Sequence, residues 1–321
     1  MGIINEIKIA FVGAGYMTSE HLRAFSAING VKPVGIHSRT ENKAKDLESH
    51  YPTLQIYDSI ESLYETSKAD IVVVSVNELS MSEVAIECFK HPWLVLLEKP
   101  AGYDLADASK IVEAADELKA RAYVALNRRA YSSTRIAISR LNDIDAPRFI
   151  KVVDQQDQQA ALTIYNEPQE VADNYMFANS IHLIDYFHVL GRGTVTAVES
   201  VIPWDPRNPG MVVAKISFAS GDVGLYEGIW NGPGPWGVSV STPQERIELK
   251  PLESITVQEH GQRVVNQLEI DARDVDFKPG LRFQAEQAVN LIKGVESSLP
   301  TVQDSFISMK LVAKIFGLKT D

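Results

Sequence analysis

Over about the first 125 residues, short β-branched apolar runs alternate with stretches of helical periodicity, the rhythm of a parallel sheet with crossover helices. Glu6–Gly13 is the first expected strand, and Ile7, Ile9, Phe11 and Val12 give it a buried character. Leu22, Phe25 and Ile28 then recur at helical spacing. Further strands are expected at Val31–His37, Gln55–Tyr57, Ala69–Val76, Trp93–Leu97 and Ala122–Leu126. Helices are expected between them at Thr40–His50, Ile60–Ser67, Ser80–Lys90 and Leu105–Ala120.

The rhythm changes near Asn127. A helix at Ser132–Leu141, a strand at Arg148–Gln155, a loop and a helix over Asn179–Leu190 come first. Strand-like runs follow at Val195–Ile202, Met211–Phe218, Val223–Trp230, Val238–Ser241, Arg246–Leu249, Ile255–Gln258 and Val264–Ile270. Turn residues such as Ala219-Ser220-Gly221-Asp222 and His260-Gly261 lie between them, so the pattern is that of an antiparallel meander. Helices at Gly280–Lys293 and Phe306–Gly317 close the chain. The expected fold is therefore α/β plus α+β. A doubly wound parallel sheet occupies residues 1–126, and a domain built on a large, mostly antiparallel sheet occupies residues 127–321.

Composition narrows the function. A length of 321 residues suits two domains, and 42 Asp and Glu against 31 Lys and Arg leave a net charge of −11, which repels phosphate backbones and anionic lipid. Nucleic acid and membranes are thus not expected partners. The longest apolar runs fall far short of the roughly 18 residues of a spanning helix, and nothing at the N-terminus resembles a signal peptide or myristoylation site. A single cysteine, Cys88, forms no internal disulfide, and no Cys/His cluster has metal-ligand spacing. A cytoplasmic location without a bound metal is expected.

Gly13-Ala14-Gly15-Tyr16-Met17-Thr18 stands between the first strand and first helix. Gly13 permits a tight turn, Gly15 lets a pyrophosphate approach, and the N–H groups opening a helix at Tyr16 and Met17 favour an anion. The second strand ends in His37-Ser38-Arg39-Thr40, with no carboxylate to receive ribose hydroxyls and with a guanidinium suited to a 2′-phosphate. NADP is the expected cofactor, with NAD as the alternative should Glu41 reach the ribose. Glu98-Lys99-Pro100 closes the strand Trp93–Leu97, where Lys99 projects into the crevice used by doubly wound sheets and can stabilise a developing alkoxide. Ser75, Val76 and Asn77, with Glu98, Lys99 and Asn127, complete the expected nucleotide contacts.

These motifs, with Asn127-Arg128-Arg129 and His182-Leu183-Ile184-Asp185 in order behind them, resemble the glucose–fructose oxidoreductase, inositol dehydrogenase and MocA-like (Gfo/Idh/MocA) family over nearly the whole chain. The resemblance implies a nicotinamide-binding Rossmann domain, an open-sheet domain often used for oligomerisation, and redox chemistry on a sugar, cyclitol or nucleotide-sugar hydroxyl. A homodimer or homotetramer is expected from the alternating strands, whose second face needs cover.

His182 is the expected general acid/base, because imidazole titrates near neutrality. Asp185 is its neighbour three residues on, while His188 is read as structural or surface. Many family members carry an Asp four residues before this histidine, and here the position is Ala178. Either Asp185 or Tyr175 meets the acid's role, with Asn179 adjacent, or substrate binding differs, or turnover has been lost. Trp230 and Trp236, flanking a Gly/Pro-rich loop, either stack on a sugar ring or fill a sheet edge. The leading function is hydride transfer between NAD(P) and a secondary alcohol or ketone of a carbohydrate substrate. The alternatives are a redox sensor or scaffold without turnover, and a nicotinamide-assisted lyase or glycosidase.

Overall fold

The computed structural model describes residues 6–320. The first compact unit comprises residues up to Asn127 together with Arg273–Phe306. Its strands are β1 (Ile7–Val12), β2 (Val31–His37), β3 (Gln55–Tyr57), β4 (Ile71–Val74), β5 (Leu94–Leu97) and β6 (Arg121–Val124). Helices α1 (Tyr16–Ser26), α2 (Glu41–His50), α3 (Ile60–Ser67), α4 (Glu78–Phe89) and α5 (Leu105–Glu117) alternate with them. All strand pairs are parallel, in the order β3-β2-β1-β4-β5-β6.

That order reverses at β1 and β4, the switch point of a doubly wound sheet and the place where its crevice opens. Every residue of β4 and β5 is buried, because a parallel sheet covered on both faces exposes neither side of its central strands. Polar caps set the helix starts. Asn77 accepts from the Ser80 N–H ahead of α4, and Asp104 accepts from the Asp107 N–H ahead of α5.

The second compact unit comprises Arg128–Ala272 and the residues from Ile307 onward. It holds α6 (Ser132–Asn142), β7 (Phe149–Gln156), α7 (Gln158–Thr163), α8 (Gln169–Asp173), α9 (Ile181–Ile184) and α10 (Tyr186–Leu190). Seven further strands follow: β8 (Val195–Ile202), β9 (Met211–Phe218), β10 (Val223–Trp230), β11 (Gly237–Ser241), β12 (Glu245–Leu249), β13 (Thr256–Glu259) and β14 (Asn266–Gln267). Their order in the sheet is β14-β13-β12-β11-β7-β10-β9-β8. One face buries alternate residues such as Ile150, Val152, Val212, Ala214, Ile216 and Tyr226, and α9 and α10 pack against β7 on that side.

The sequence reading needs four corrections. The sheet is not a pure meander, since β7 and β10 pair in parallel over eight residues. The expected strand Val264–Ile270 shrinks to Asn266–Gln267, with Val264 62% and Val265 55% exposed, because only two residues find partners on β13. The helix over Asn179–Leu190 is broken, opening with a single π turn at Met176–Ser180. Finally, the chain returns to the first unit: α11 (Arg273–Asp276) is followed by α12 (Leu281–Ile292), whose Leu281, Ala285, Ala288 and Val289 join the core of Ile9, Phe11, Leu22 and Phe25. The last helix, α13 (Val302–Ile315), contains the division between the units.

Candidate active site

In the first unit, β1 delivers Gly13 at φ +105°, a conformation glycine adopts readily. A Cβ there would run into the carbonyl oxygen of Ser75, whereas one on Gly15 would meet open space. The turn is closed by hydrogen bonds from Gly13 N–H to the His37 carbonyl (2.8 Å) and from Ser75 N–H to the Val12 carbonyl (2.9 Å). Helix α1 begins at Gly15 without a side-chain cap and without an acidic residue in its first turn, so its N–H groups and positive pole suit an anion. Tyr16 is exposed and Met17 half-buried at that opening. Thr18, standing where the motif usually has a small residue, is fully buried with its Oγ1 2.6 Å from Ser75 Oγ.

A cleft of about 570 Å³ runs from Gly13, Ala14 and Gly15, past Ser75, Val76 and Asn77, to Ser38, Arg39, Thr40 and Lys43. The residues present fit a dinucleotide: a turn in which Gly13 and Gly15 carry no Cβ for its pyrophosphate, and a basic strand end for its ribose. Arg39 donates to Ser80 Oγ at 3.1 Å, and Ser38 Oγ accepts from the Thr40 N–H. Glu41 lies outside the cleft lining, and Lys45 engages its carboxylate at 2.6 Å. The carboxylate that could have restored a ribose contact is thereby turned along its own helix.

Lys99 follows β5 and is half-buried. Glu98, expected to contact nucleotide, is instead buried against His21, Nε2 to Oε1 being 2.7 Å, and its Oε2 accepts from the Lys99 N–H at 3.2 Å. Burial pushes the Glu98 carboxyl up, but His21 and Lys99 outweigh it and leave the group below the usual carboxylate range. Asn127 is buried, and its side chain donates to the Pro279 carbonyl at 3.2 Å.

The second unit begins within the 3₁₀ turn Asn127–Ala130, whose consecutive Arg128 and Arg129 meet His182 and Asp185. Arg128 Nη1 lies 2.9 Å from His182 Nε2. A guanidinium only donates, so Nε2 accepts, and the ring proton resides on Nδ1. Arg129 grips Asp185 with two bonds of 2.7 and 2.6 Å, and Ser308 Oγ donates to the same carboxylate at 2.6 Å. Burial pushes the Asp185 carboxyl up, yet Arg129 and these hydrogen bonds hold it below the ordinary range. Asp185 thus anchors α9 and does not face His182 as a proton partner.

The two loop tryptophans separate. Trp236 donates to the Gln155 carbonyl at 2.7 Å, lies 6.4 Å from the His182 ring and underlies the Arg128 guanidinium. Trp230 is buried with Trp204 and Phe316, and Tyr175 meets it edge-on at 6.5 Å. Asn179 donates to Gln156 Oε1 at 2.8 Å, and Ala178 is buried. Sequence reasoning passed over Asp154, fully buried, which accepts from Tyr226 OH and Gln156 Nε2, each at 2.7 Å. Burial raises its carboxyl above the ordinary range. Its signal was present, since Asp154 and Gln156 fall in step with Ile150 and Val152 on the buried face of β7.

Among the described residues, no group of three or more His, Cys, Asp or Glu side chains is arranged to hold a metal, and no helix is long and apolar enough to cross a membrane. The chain thus joins a parallel sheet, whose glycine turn opens into a cleft that suits a dinucleotide, to an open, mostly antiparallel sheet.

Residues 7–126 match the model of the GFO/IDH/MocA oxidoreductase family, described as having an NAD-binding Rossmann fold. The chain is 23% identical over 239 residues to 4-carboxy-2-hydroxymuconate-6-semialdehyde dehydrogenase of a Sphingobium strain, covering 72% of this chain and 74% of the relative. It is 22% identical over 220 residues to inositol 2-dehydrogenase of Salmonella typhimurium, covering 65% of this chain and 63% of that enzyme. In fold it is similar to UDP-N-acetylglucosamine 3-dehydrogenase from Acidithiobacillus ferrooxidans, with a TM-score of 0.78, 16% identity and 97% of each chain covered.

Proposed function

We propose that the protein transfers hydride between NADP and a secondary alcohol or ketone of a sugar, cyclitol or nucleotide sugar. The observation that carries this is the cleft of the first unit, which joins the glycine turn to a strand end carrying Arg39 and no acid. The named activities of the inositol and nucleotide-sugar relatives support the substrate class. Bound nicotinamide would supply the hydride acceptor or donor. The chain's own residues do the rest: Lys99 donates to the substrate oxygen and stabilises charge there as the alcohol loses its proton. His182, neutral in its contact with Arg128, has the protonation state of a base and receives that proton at Nε2 once a hydroxyl takes the place of the guanidinium. Trp236 offers an apolar ring face beside it.

NADP is expected to bind more tightly than NAD. Arg39 and Lys43 line the cleft near the ribose position, and Glu41 is engaged by Lys45. Changing Ser38→Asp together with Arg39→Ala should reverse the order, because it adds repulsion and deletes a bidentate donor. Fluorescence titration of both nucleotides tests this, and tighter NAD binding by the unmodified protein refutes the assignment.

A homodimer or homotetramer is proposed through the large sheet. Its face opposite the helices carries half-buried Val153, Val213, Leu225 and Ile229 between the ion pairs Lys151–Glu227 and Lys215–Glu199. A soluble protein commonly covers such an apolar face with a second copy. Sedimentation at micromolar concentration should show at least a dimer, and a monomer counts against this surface. The cytoplasm is the proposed location.

A further inference from the structure

Two side chains of α1 tie the phosphate-binding helix to the crevice edge. Thr18 and His21 lie three residues apart and so share one face of the helix. Thr18 reaches Ser75 at the end of β4, and His21 reaches Glu98 at the end of β5. His21 is completely buried and Glu98 nearly so. A hydrogen-bonded pair this deep is costly to leave half-made, which fixes both side chains in one arrangement.

The carboxylate of Glu98 then has two donors with different duties. Oε1 takes the imidazole N–H of His21 at 2.7 Å, while Oε2 takes the backbone N–H of Lys99 at 3.2 Å. The Glu98 N–H itself donates to the Val74 carbonyl at 2.8 Å, so the backbone on one side of the turn is held by the sheet. On the other side, the orientation of the Lys99 peptide depends on where the Glu98 carboxylate sits, and His21 sets that position. Because the carboxylate can only accept, His21 carries its proton on Nε2.

We infer that His21 is a positioning residue for Lys99, acting through the Glu98 carboxylate that bridges the imidazole and the Lys99 peptide. A link of this kind would transmit any movement of α1 to the origin of the lysine side chain. Its importance for turnover rests on the role proposed above for Lys99, but the positional effect can be measured without any turnover.

The test compares Lys99 itself in variants of His21. The protein's lysines are reductively methylated with ¹³C-formaldehyde, and the Lys99 dimethylamine resonance is assigned by its loss in Lys99→Arg. His21→Leu removes the donor and should displace or split that resonance. In His21→Gln the side-chain amide N–H stands close to where Nε2 stood, and the wild-type position should return. A Lys99 resonance that coincides with wild type in folded His21→Leu overturns the inference. If His21→Leu does not fold, His21→Phe, which keeps a ring and removes the donor, provides the same comparison: the wild-type Lys99 position in that variant is equally fatal, and a displaced one supports the link. Failure of Lys99→Met to slow turnover would instead overturn the reaction while leaving this result standing.

Discussion

Replacing Lys99 by methionine should lower turnover by about 10²-fold or more while leaving NADP affinity within a few-fold of wild type. That is the scale of loss when one preorganised charge or donor is removed from a developing oxyanion. The split follows from where the residue stands. Lys99 extends from the carboxyl end of β5, a strand buried along its full length, and its peptide is held by Glu98. In the proposed function the nucleotide's phosphates are served elsewhere, by the Gly13–Gly15 turn and the opening of α1. Methionine keeps much of the apolar stem and deletes the ammonium, so the change reports on charge more than on packing. Turnover close to wild type removes Lys99 from the chemistry. A loss confined to nucleotide affinity moves it to a binding role.

Asp185→Ala should cost about 3–5 kcal/mol of stability, the range for breaking a buried ion pair by removing one partner. The Asp185 side chain is 4% exposed and that of Arg129 22%, and both carboxylate oxygens are used, so little solvent is available to take over. A loss of that size is a large share of the 5–15 kcal/mol typical of a folded protein. The pH dependence has a definite sign. Because the folded carboxyl titrates below its ordinary value, its contribution is fully present above the unfolded value near 3.9 and disappears as pH falls through the lower folded one. Thermal unfolding of wild type and Asp185→Asn should therefore differ most near neutrality and converge as pH falls through the lowered folded value. An equal gap at neutral and at acid pH shows that the charge is not what stabilises α9.

Much of the architecture was legible along the chain. The parallel sheet announces itself through runs such as Ile71–Val74 and Leu94–Leu97, since central strands buried on both faces leave no polar alternation. What local pattern cannot carry is the choice of partner. Nothing in the alternation of Val223–Trp230 says that it pairs in parallel with Phe149–Gln156, and nothing in the amphipathic spacing of Leu281–Ile292 says which unit's core it joins. The π turn at Met176–Ser180 escaped because it is a change in hydrogen-bond spacing, which leaves little trace in side-chain periodicity. A short helix at Gln158–Thr163 could have been found from Asp157, whose side chain caps it.

The glycine turn, Arg39 and Lys99 were readable because each sits at a fixed offset from a strand end. His182 and Asp185 were identified as neighbours, but their true partners are Arg128 and Arg129, more than fifty positions earlier. A still longer separation, 77 positions, hid His21 from Glu98. Trp230 and Trp236 look alike in the chain and part in the fold, because strand β10 ends with Trp230 turned into the core, while Trp236 follows the loop out to Arg128.

The most direct test of hydride transfer is to mix the purified protein with NADP⁺ and, one at a time, inositols, aldoses, sugar phosphates and UDP-sugars, and to follow the absorbance of reduced nicotinamide. Reduction should appear with at least one of these alcohols, depend on protein concentration and fall about 10²-fold in Lys99→Met. Tight nucleotide binding without reduction by any of them, and without oxidation of NADPH by the corresponding ketones, would contradict a dehydrogenase acting on these compounds.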